Sequence, residues 1–326
     1  MEIKSLKILL LKRVSLLIFF IFSIGCSEDD KEKVFKDSTN LRLKSYASYT
    51  SENPNMSFTY FFNYDSNNKL VNIQSNSLGS NVDFEYDNNG KLIQVGDYSY
   101  LYNSDDQVYQ IKNENLLTSG GKYEGTILVY TNGKATSINE SFINDFSKKS
   151  YTTDISYNNK EQIRSILRKE KDFIFESEQE YVVKEDKGTY KYDSNGNIQE
   201  IIYEENYNSY NLLEFKSTYS FDFYNNPIRL IQKSTGVTEN LTMIYLGHIA
   251  DNSSFFLSGV FNYFTNNILT FTSIPQTSND NYVQYVYERS YEYNEYGYPI
   301  SAEEITRLLN RDIEYTTFYS YEYEEF

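Results

Sequence analysis

One histidine and one cysteine set narrow limits on the chemistry open to this 326-residue chain. The histidine, His248, stands in LGHIADNSS, so a Ser254, His248 and Asp251 constellation can be drawn for nucleophilic hydrolysis, which needs a base within hydrogen-bond reach of the hydroxyl. Triads are usually assembled from separated segments, and no Gly-x-Ser-x-Gly elbow occurs in the chain, so a non-catalytic His248 is expected. A zinc or copper centre would want clusters of His and Cys, and one of each does not supply them. Asp193 to Asn197, DSNGN, echoes the opening of a calcium loop without its terminal Glu, and turn chemistry explains Asp65, Asp87 and Asp193 without a metal. Among 46 acidic residues a carboxylate pair for glycoside cleavage can always be drawn. Most of these acids alternate with aromatics, as in FEYD and YEYEEF, which is the pattern of a solvated sheet face. The expectation is therefore no enzyme, no metal and no cofactor.

The charge balance points the same way. The formal net charge is −16, and a field of that sign repels phosphate backbones unless a local basic patch offsets it. No such patch follows residue 40, so nucleic acid is not an expected partner. With 34 Tyr, 22 Phe, no Trp and only 4 Pro, the composition favours pleated, half-buried surfaces over disorder.

At the N-terminus, Lys4, Lys7, Lys12 and Arg13 precede VSLLIFFIFSIG, a basic region, an apolar run and a small-residue end. That is the form of an export signal, and the run is shorter than a membrane-spanning helix requires. The only cysteine, Cys26, follows directly, so no intrachain disulfide is possible. SIGC resembles a bacterial lipobox, with Ser23 and Gly25 at the small positions and Cys26 at the acceptor site; Ser23 departs from the commoner Leu. The resemblance implies a diacylglycerol on the Cys26 thiol and an acylated new amino terminus, together a stable anchor. The acidic SEDDKE behind it is similar to the export tag of Bacteroidota surface lipoproteins, which implies an outer-membrane location, with the periplasmic face as the alternative. Residues 1–25 thus read as a lipoprotein signal peptide and residues 26–40 as an acidic, flexible tether; removing the signal takes the formal charge to −19.

From residue 41 to 326 the chain repeats itself. Nine aromatic anchors, Tyr64, Tyr86, Tyr102, Tyr130, Tyr157, Tyr192, Phe223, Tyr263 and Tyr293, each precede a polar turn and then an apolar pair. Ahead of the anchors the residues alternate, as in FTYFFNY and YSYLY, which is strand periodicity. Asn, Asp, Gly and Ser then supply the reversal. The expected fold is all-β, an antiparallel meander of about nine hairpins in one curled, extended sheet whose strands lengthen along the chain. After each turn the apolar pair is spaced by three, as in Leu70 and Ile73 or Ile228 and Ile231, which a flat strand would place on opposite faces; a β-bulge after the turn is predicted. SAEEITRLLNRD, from Ser301, carries a competing helix signal, with Ser301 and Glu304 as a capping box, but it occupies a second-strand position and reads as strand. Residues 245–259 interrupt the alternation and read as a loop excursion.

The copies resemble degenerate YD repeats of RHS-type proteins; Tyr86, Asp87, Gly90, Lys91 and Leu92 match that core fully, and Tyr192, Asp193, Gly196 and Ile198 nearly so. The resemblance implies an antiparallel sheet and no known reaction, and the chain is too short to enclose a further domain as large RHS shells do. The aromatic stripe is expected to be core, with a glycan platform as the alternative. The functional expectation is an outer-membrane-anchored, non-enzymatic lipoprotein that binds or scaffolds at the cell surface, its partners the membrane through lipid and a glycan or a protein. A glycan-capturing module beside a nutrient importer and a hydrolase are the other readings.

Overall fold

The computed structural model describes residues 36, 40–76, 81–113, 121–144, 147–174, 179–207, 211–236, 266–275, 284–309 and 311–326. Cys26, Tyr263 and the His248, Asp251, Ser254 group lie outside them.

Eighteen strands follow in chain order: β1 (Leu41–Thr50), β2 (Asn53–Tyr64), β3 (Leu70–Ser75), β4 (Asn81–Tyr86), β5 (Leu92–Val95), β6 (Tyr98–Tyr102), β7 (Val108–Asn113), β8 (Gly121–Thr131), β9 (Lys134–Asn144), β10 (Ser147–Tyr157), β11 (Ile163–Ile174), β12 (Gln179–Tyr192), β13 (Ile198–Tyr207), β14 (Asn211–Asn225), β15 (Asn266–Pro275), β16 (Tyr285–Tyr293), β17 (Pro299–Leu308) and β18 (Ile313–Glu325). Each pairs antiparallel with its sequence neighbours, and β18 pairs with β1 from Leu41↔Glu325 to Thr50↔Thr317. The sheet therefore closes into an 18-stranded barrel, which corrects the expected open, extended sheet. Closure removes both sheet edges, which would otherwise be templates for aggregation. The Ser301 segment is strand, as expected, because its inward positions pack against β16 and β18.

The turns repeat one recipe. Asp65 Oδ1 accepts the amide protons of Asn67 and Lys69, each at 2.8 Å, and Asp87 does the same for Asn89 and Lys91. Four residues after the anchor the backbone is left-handed, at Gly90 (φ 77) and also at Asn68 (φ 61), Asp106 (φ 61) and Glu161 (φ 67), where Gly would relieve the side-chain clash. The predicted bulge is present: the register shifts between Asn63 and Tyr64, between Glu85 and Tyr86, and at the same point in the later hairpins. It turns the first residue of each apolar pair, such as Leu70, Leu92 and Val108, onto the same face as the second.

The buried face of the sheet is the inner one, because side chains on the concave side of a closed sheet converge while those outside diverge. Leu70, Val108 and Ile111 are fully buried, and Tyr46, Tyr60, Phe62 and Tyr100 nearly so. The aromatic stripe is thus core, as expected. The turn ends are further knitted together: Tyr86 donates its hydroxyl to Leu70 O at 2.7 Å, Tyr130 to Val108 O at 2.7 Å and Tyr192 to Ile163 O at 2.8 Å, each reaching back to the preceding hairpin. Tyr64 closes this series onto Leu43 O at 2.7 Å, and Tyr323 extends it to Pro299 O at 2.8 Å. Lys69 and Lys91 lie over the rings of Tyr86 and Tyr102, the anchors of the next hairpins.

The seventh repeat departs from expectation in two ways. Ile228 and Ile231 lie on a helix, α1 (Ile228–Thr235), rather than a strand; their spacing of three suits a helix face equally. Ile231 packs with Leu43, Tyr46, Phe62 and Leu70, so the helix adds to the core at the turn end of β1 and β3. Phe223 is 85% exposed and is not the anchor. Phe221 pairs with Ile268 where the register shifts, and Asp222 Oδ1 accepts the amide protons of Tyr224 and, from beyond the intervening residues, Asn267. The turn recipe survives with some forty residues inserted into it; FDF offers two aromatics at the same phase, and only the partner across the insertion tells them apart.

Candidate functional site

Strand length divides the wall. β3 to β7 hold 4 to 6 residues each, whereas β8 to β14 hold 10 to 15. The strands do not lengthen steadily along the chain, since β1 and β2 hold 10 and 12 residues and β15 to β17 hold 9 or 10; the taller ones carry inward positions that have no counterpart on the low side.

Those extra positions change character. Nearest the turns, cross-strand pairing sets Ile155 beside Ile166, Ile166 beside Gly188 and Gly188 beside Tyr203, an apolar row in which the ring of Tyr190 covers the glycine. Two residues further along, the row is Thr153, Arg168, Asp186 and Glu205, and two further still it is Glu140, Tyr151, Glu170 and Lys184. Lys149 and Asp172 face each other beyond that. The inner face thus passes from aliphatic and aromatic to ionic along the same strands.

The ionic layer is internally paired. Lys184 Nζ lies 2.6 Å from Glu205 Oε1 and 3.2 Å from Asp186 Oδ2. Lys149 Nζ lies 2.9 Å from Glu170 Oε1 and 3.6 Å from Asp172 Oδ1, and Arg168 Nη2 lies 3.5 Å from Glu140 Oε2. The Arg168 guanidinium also sits 4.4 Å over the ring of Tyr151. Partial burial disfavours the Lys184 ammonium, but hydrogen bonds to Glu205 and Asp186 outweigh that and push its pKa up. Tyr203 is pushed up by burial first and by the Asp186 carboxylate second. The side chains of Lys149 and Arg168 are each 46% exposed and that of Lys184 22%, so the layer is partly open to solvent. Five carboxylates meet three cations here, and Asp172 Oδ1 and Asp186 Oδ1 are buried without a hydrogen-bond donor. The layer is rich in acceptors, which suit hydroxyl or ammonium donors.

A second inward ion pair, Arg289 with Glu304, is of a different kind. Glu304 accepts from Arg289 Nε, from Tyr319 Oη at 3.1 Å and from Thr306 Oγ1 at 3.2 Å, with every partner internal. It braces β16, β17 and β18 and offers nothing to a ligand. Asp222, whose pKa burial raises, is likewise filled, by Tyr293 Oη, the Tyr224 amide and both donors of Asn267.

The outer wall is polar around most of its circumference. Outward cross-strand pairs include Arg42 with Glu324 (2.7 Å), Lys169 with Glu185 (3.6 Å), Lys187 with Glu204 (2.8 Å), Lys216 with Glu200 (2.8 Å) and Arg307 with both Glu288 (2.8 Å) and Glu314 (2.6 Å). Asn63, Asn72 and Asp83 form a further outward chain across β2, β3 and β4. Apolar side chains are exposed on this face as well: Ile93, Tyr109, Ile127 and Val129 on β5 to β8, Tyr49 and Phe61 on β1 and β2, and Val182 and Ile274 on β12 and β15.

Of the residues singled out from sequence, Tyr64, Tyr86, Tyr102, Tyr130, Tyr157, Tyr192 and Tyr293 stand at the turn end as structural anchors and none lines the ionic layer. The layer itself was missed, because Lys and Glu alternating in RKEKDF and KEDKGTY read as solvated strand, and only the barrel's curvature says which half of them points inward.

No family model and no curated protein matches the chain. Among solved structures, the chain is similar to a porin-like protein from Bacteroides vulgatus ATCC 8482 (12% identity, TM-score 0.43, covering 87% of this chain and 98% of that one). A porin-like protein from Bacteroides uniformis ATCC 8492 aligns comparably (12% identity, TM-score 0.41, 86% and 96%). The Photorhabdus luminescens Tc holotoxin pore carrying the TccC3-D651A mutation aligns over 80% of this chain and 14% of that one, at 13% identity and TM-score 0.30.

Proposed function

We propose that this chain is a lipid-tethered, non-enzymatic surface module whose barrel stands in water and binds through the ionic layer inside its tall wall. The observation that carries the reading is the polarity of the two faces. A barrel that spans a membrane must turn an apolar band outward to the lipid. Here the buried apolar side chains point inward, and the outward faces of β1, β11 to β14 and β16 to β18 bear ion pairs. A closed barrel with that polarity needs a separate device to hold it at a membrane, and the lipobox-like SIGC with Cys26 supplies one. The YD-repeat relationship is part of the same proposal: Asp87 holds the turn amides, Gly90 takes the left-handed position, Lys91 covers the next anchor and Leu92 enters the core, so each motif position has a physical task. The test is metabolic labelling with an acyl-chain analogue followed by protease treatment of whole cells. Label on the native chain, none on Cys26→Ala, and digestion of the barrel in intact cells are the expected results; an unlabelled native chain contradicts the proposal.

A further inference from the structure

We propose that β18 and β1 are the two halves of one further repeat, split between the last and first described strands, and that this split repeat is the clasp that closes the barrel. Eight hairpins, from β2–β3 to β16–β17, account for sixteen of the eighteen described strands, and β18 and β1 are the remaining two. No turn joins them, yet they pair as the halves of a repeat do. In the Tyr86 hairpin the anchor faces Leu92 and the preceding Glu85 faces Gln94, so Ile93 is left over as the bulge. At the seam Tyr323 faces Leu43 and Glu322 faces Ser45, so Lys44 is left over in the same place. Leu43 is as fully buried as Leu70 and Val108, each the first of an apolar pair in a turn-linked repeat.

The side chains carry the same assignment. An anchor hydroxyl donates to the first apolar residue of the preceding repeat, as Tyr86 does to Leu70 O. Tyr323 donates to Pro299 O as an anchor does, and Leu43 O receives Tyr64 as a first apolar residue does. The residue just before that apolar position turns to the next repeat. Lys91 lies 4.6 Å over the Tyr102 ring and bonds Asp106, and Lys134 lies 5.5 Å over the Tyr157 ring and 2.8 Å from Glu161 Oε1. Asp106 and Glu161 are the left-handed residues of their turns. Arg42 holds this position at the seam: it lies 4.7 Å over the Tyr64 ring, and its Nη1 donates to Oδ1 of the left-handed Asn68 at 3.2 Å. One exchange stands in for the turn. Asp87, next after its anchor, accepts the amide proton of Lys91, whereas Glu324, next after Tyr323, accepts from the Arg42 side chain at 2.7 Å. Neither half is recognisable by itself, because the turn that marks a repeat in sequence is missing from both. A bare strand edge pairs with any other edge through its backbone; anchor, bulge and Arg42 together make β1 the edge that β18 takes.

The test supplies the missing turn. A permuted chain keeps residues 1–39, continues from Gly133 to Tyr323, passes through a copy of the Asp87–Lys91 turn into Leu43 and ends at Asn132, an exposed tip of the kind that tolerates such cuts. A comparison chain is cut at the same place, with Phe326 joined to Asn40 by a long glycine–serine linker. The turn-joined chain is expected to show native near-ultraviolet dichroism and a urea midpoint at or above that of the linker-joined chain. A linker-joined chain that folds while the turn-joined chain does not, or melts lower, overturns the proposal. The uncut chain decides the matter if neither permutant folds: Tyr323→Phe is expected to lower the urea midpoint as much as Tyr130→Phe does, and a shift under half as large overturns the clasp.

Discussion

The low wall, β3 to β7, and the tall wall, β8 to β14, are built on the same footing and diverge above it. Both carry the inward tyrosine anchor, the bulge and an aliphatic pair in the core, as Tyr102, Val108 and Ile111 do on one side and Tyr157, Ile163 and Ile166 on the other. Above that level the low wall ends, while the tall wall continues into Arg168, Asp186, Glu205, Glu170 and Lys184. The repeat therefore prescribes a ring of core at the turn end and leaves the remainder of each strand free to vary. Stability should reside in the shared footing and binding in the unshared extension.

Substitutions can break or sharpen that contrast. The largest effect is expected from Leu70→Ala: the side chain is fully buried between helix α1 and Tyr64, and a cavity there should cost about 2–5 kcal/mol, read as a lower urea midpoint at unchanged slope. Asp87→Ala removes the acceptor for two turn amides and should cost about 1–2 kcal/mol. Tyr130→Phe leaves Val108 O without its donor, at about 0.5–1.5 kcal/mol. The same tyrosine ties stability to pH: burial raises its pKa from the ordinary 10.0 to about 12, as it does for Tyr192. Because the folded state holds the proton more tightly, this contribution is complete below pH 10 and is lost as pH rises through about 12. Tyrosinate absorbance should therefore appear together with loss of structure, and an ordinary titration before unfolding would count against the tyrosines as core.

The smallest effect on stability is expected on the tall wall. Lys184→Met should change it by about 1 kcal/mol or less, because the pair is partly solvated and salt-screened. A loss comparable to Leu70→Ala would show that the ionic layer belongs to the core and dissolve the contrast between the walls.

Much of the footing was legible in the sequence, because turn and bulge are local events: Tyr86 to Leu92 contains every residue that its own hairpin needs. What was not legible depends on long-range pairing. Nothing near Leu41 or Glu325 announces that they will meet, so closure could not be read from either end. The choice between Phe221 and Phe223 is settled by Asn267, forty-five residues away, and the helical fate of Ile228 and Ile231 by a groove that β1 and β3 create. The ionic layer stayed hidden for the same reason: alternation shows that two faces differ, and closure decides which is inside.

The central claim is that the barrel turns its apolar face inward and is a water-soluble fold held to the membrane from outside. Fractionation of Cys26→Ala in detergent-free buffer tests it most directly: the account predicts a soluble, folded monomer with native near-ultraviolet dichroism, whereas a variant that remains in the membrane pellet and is released only by detergent would contradict it.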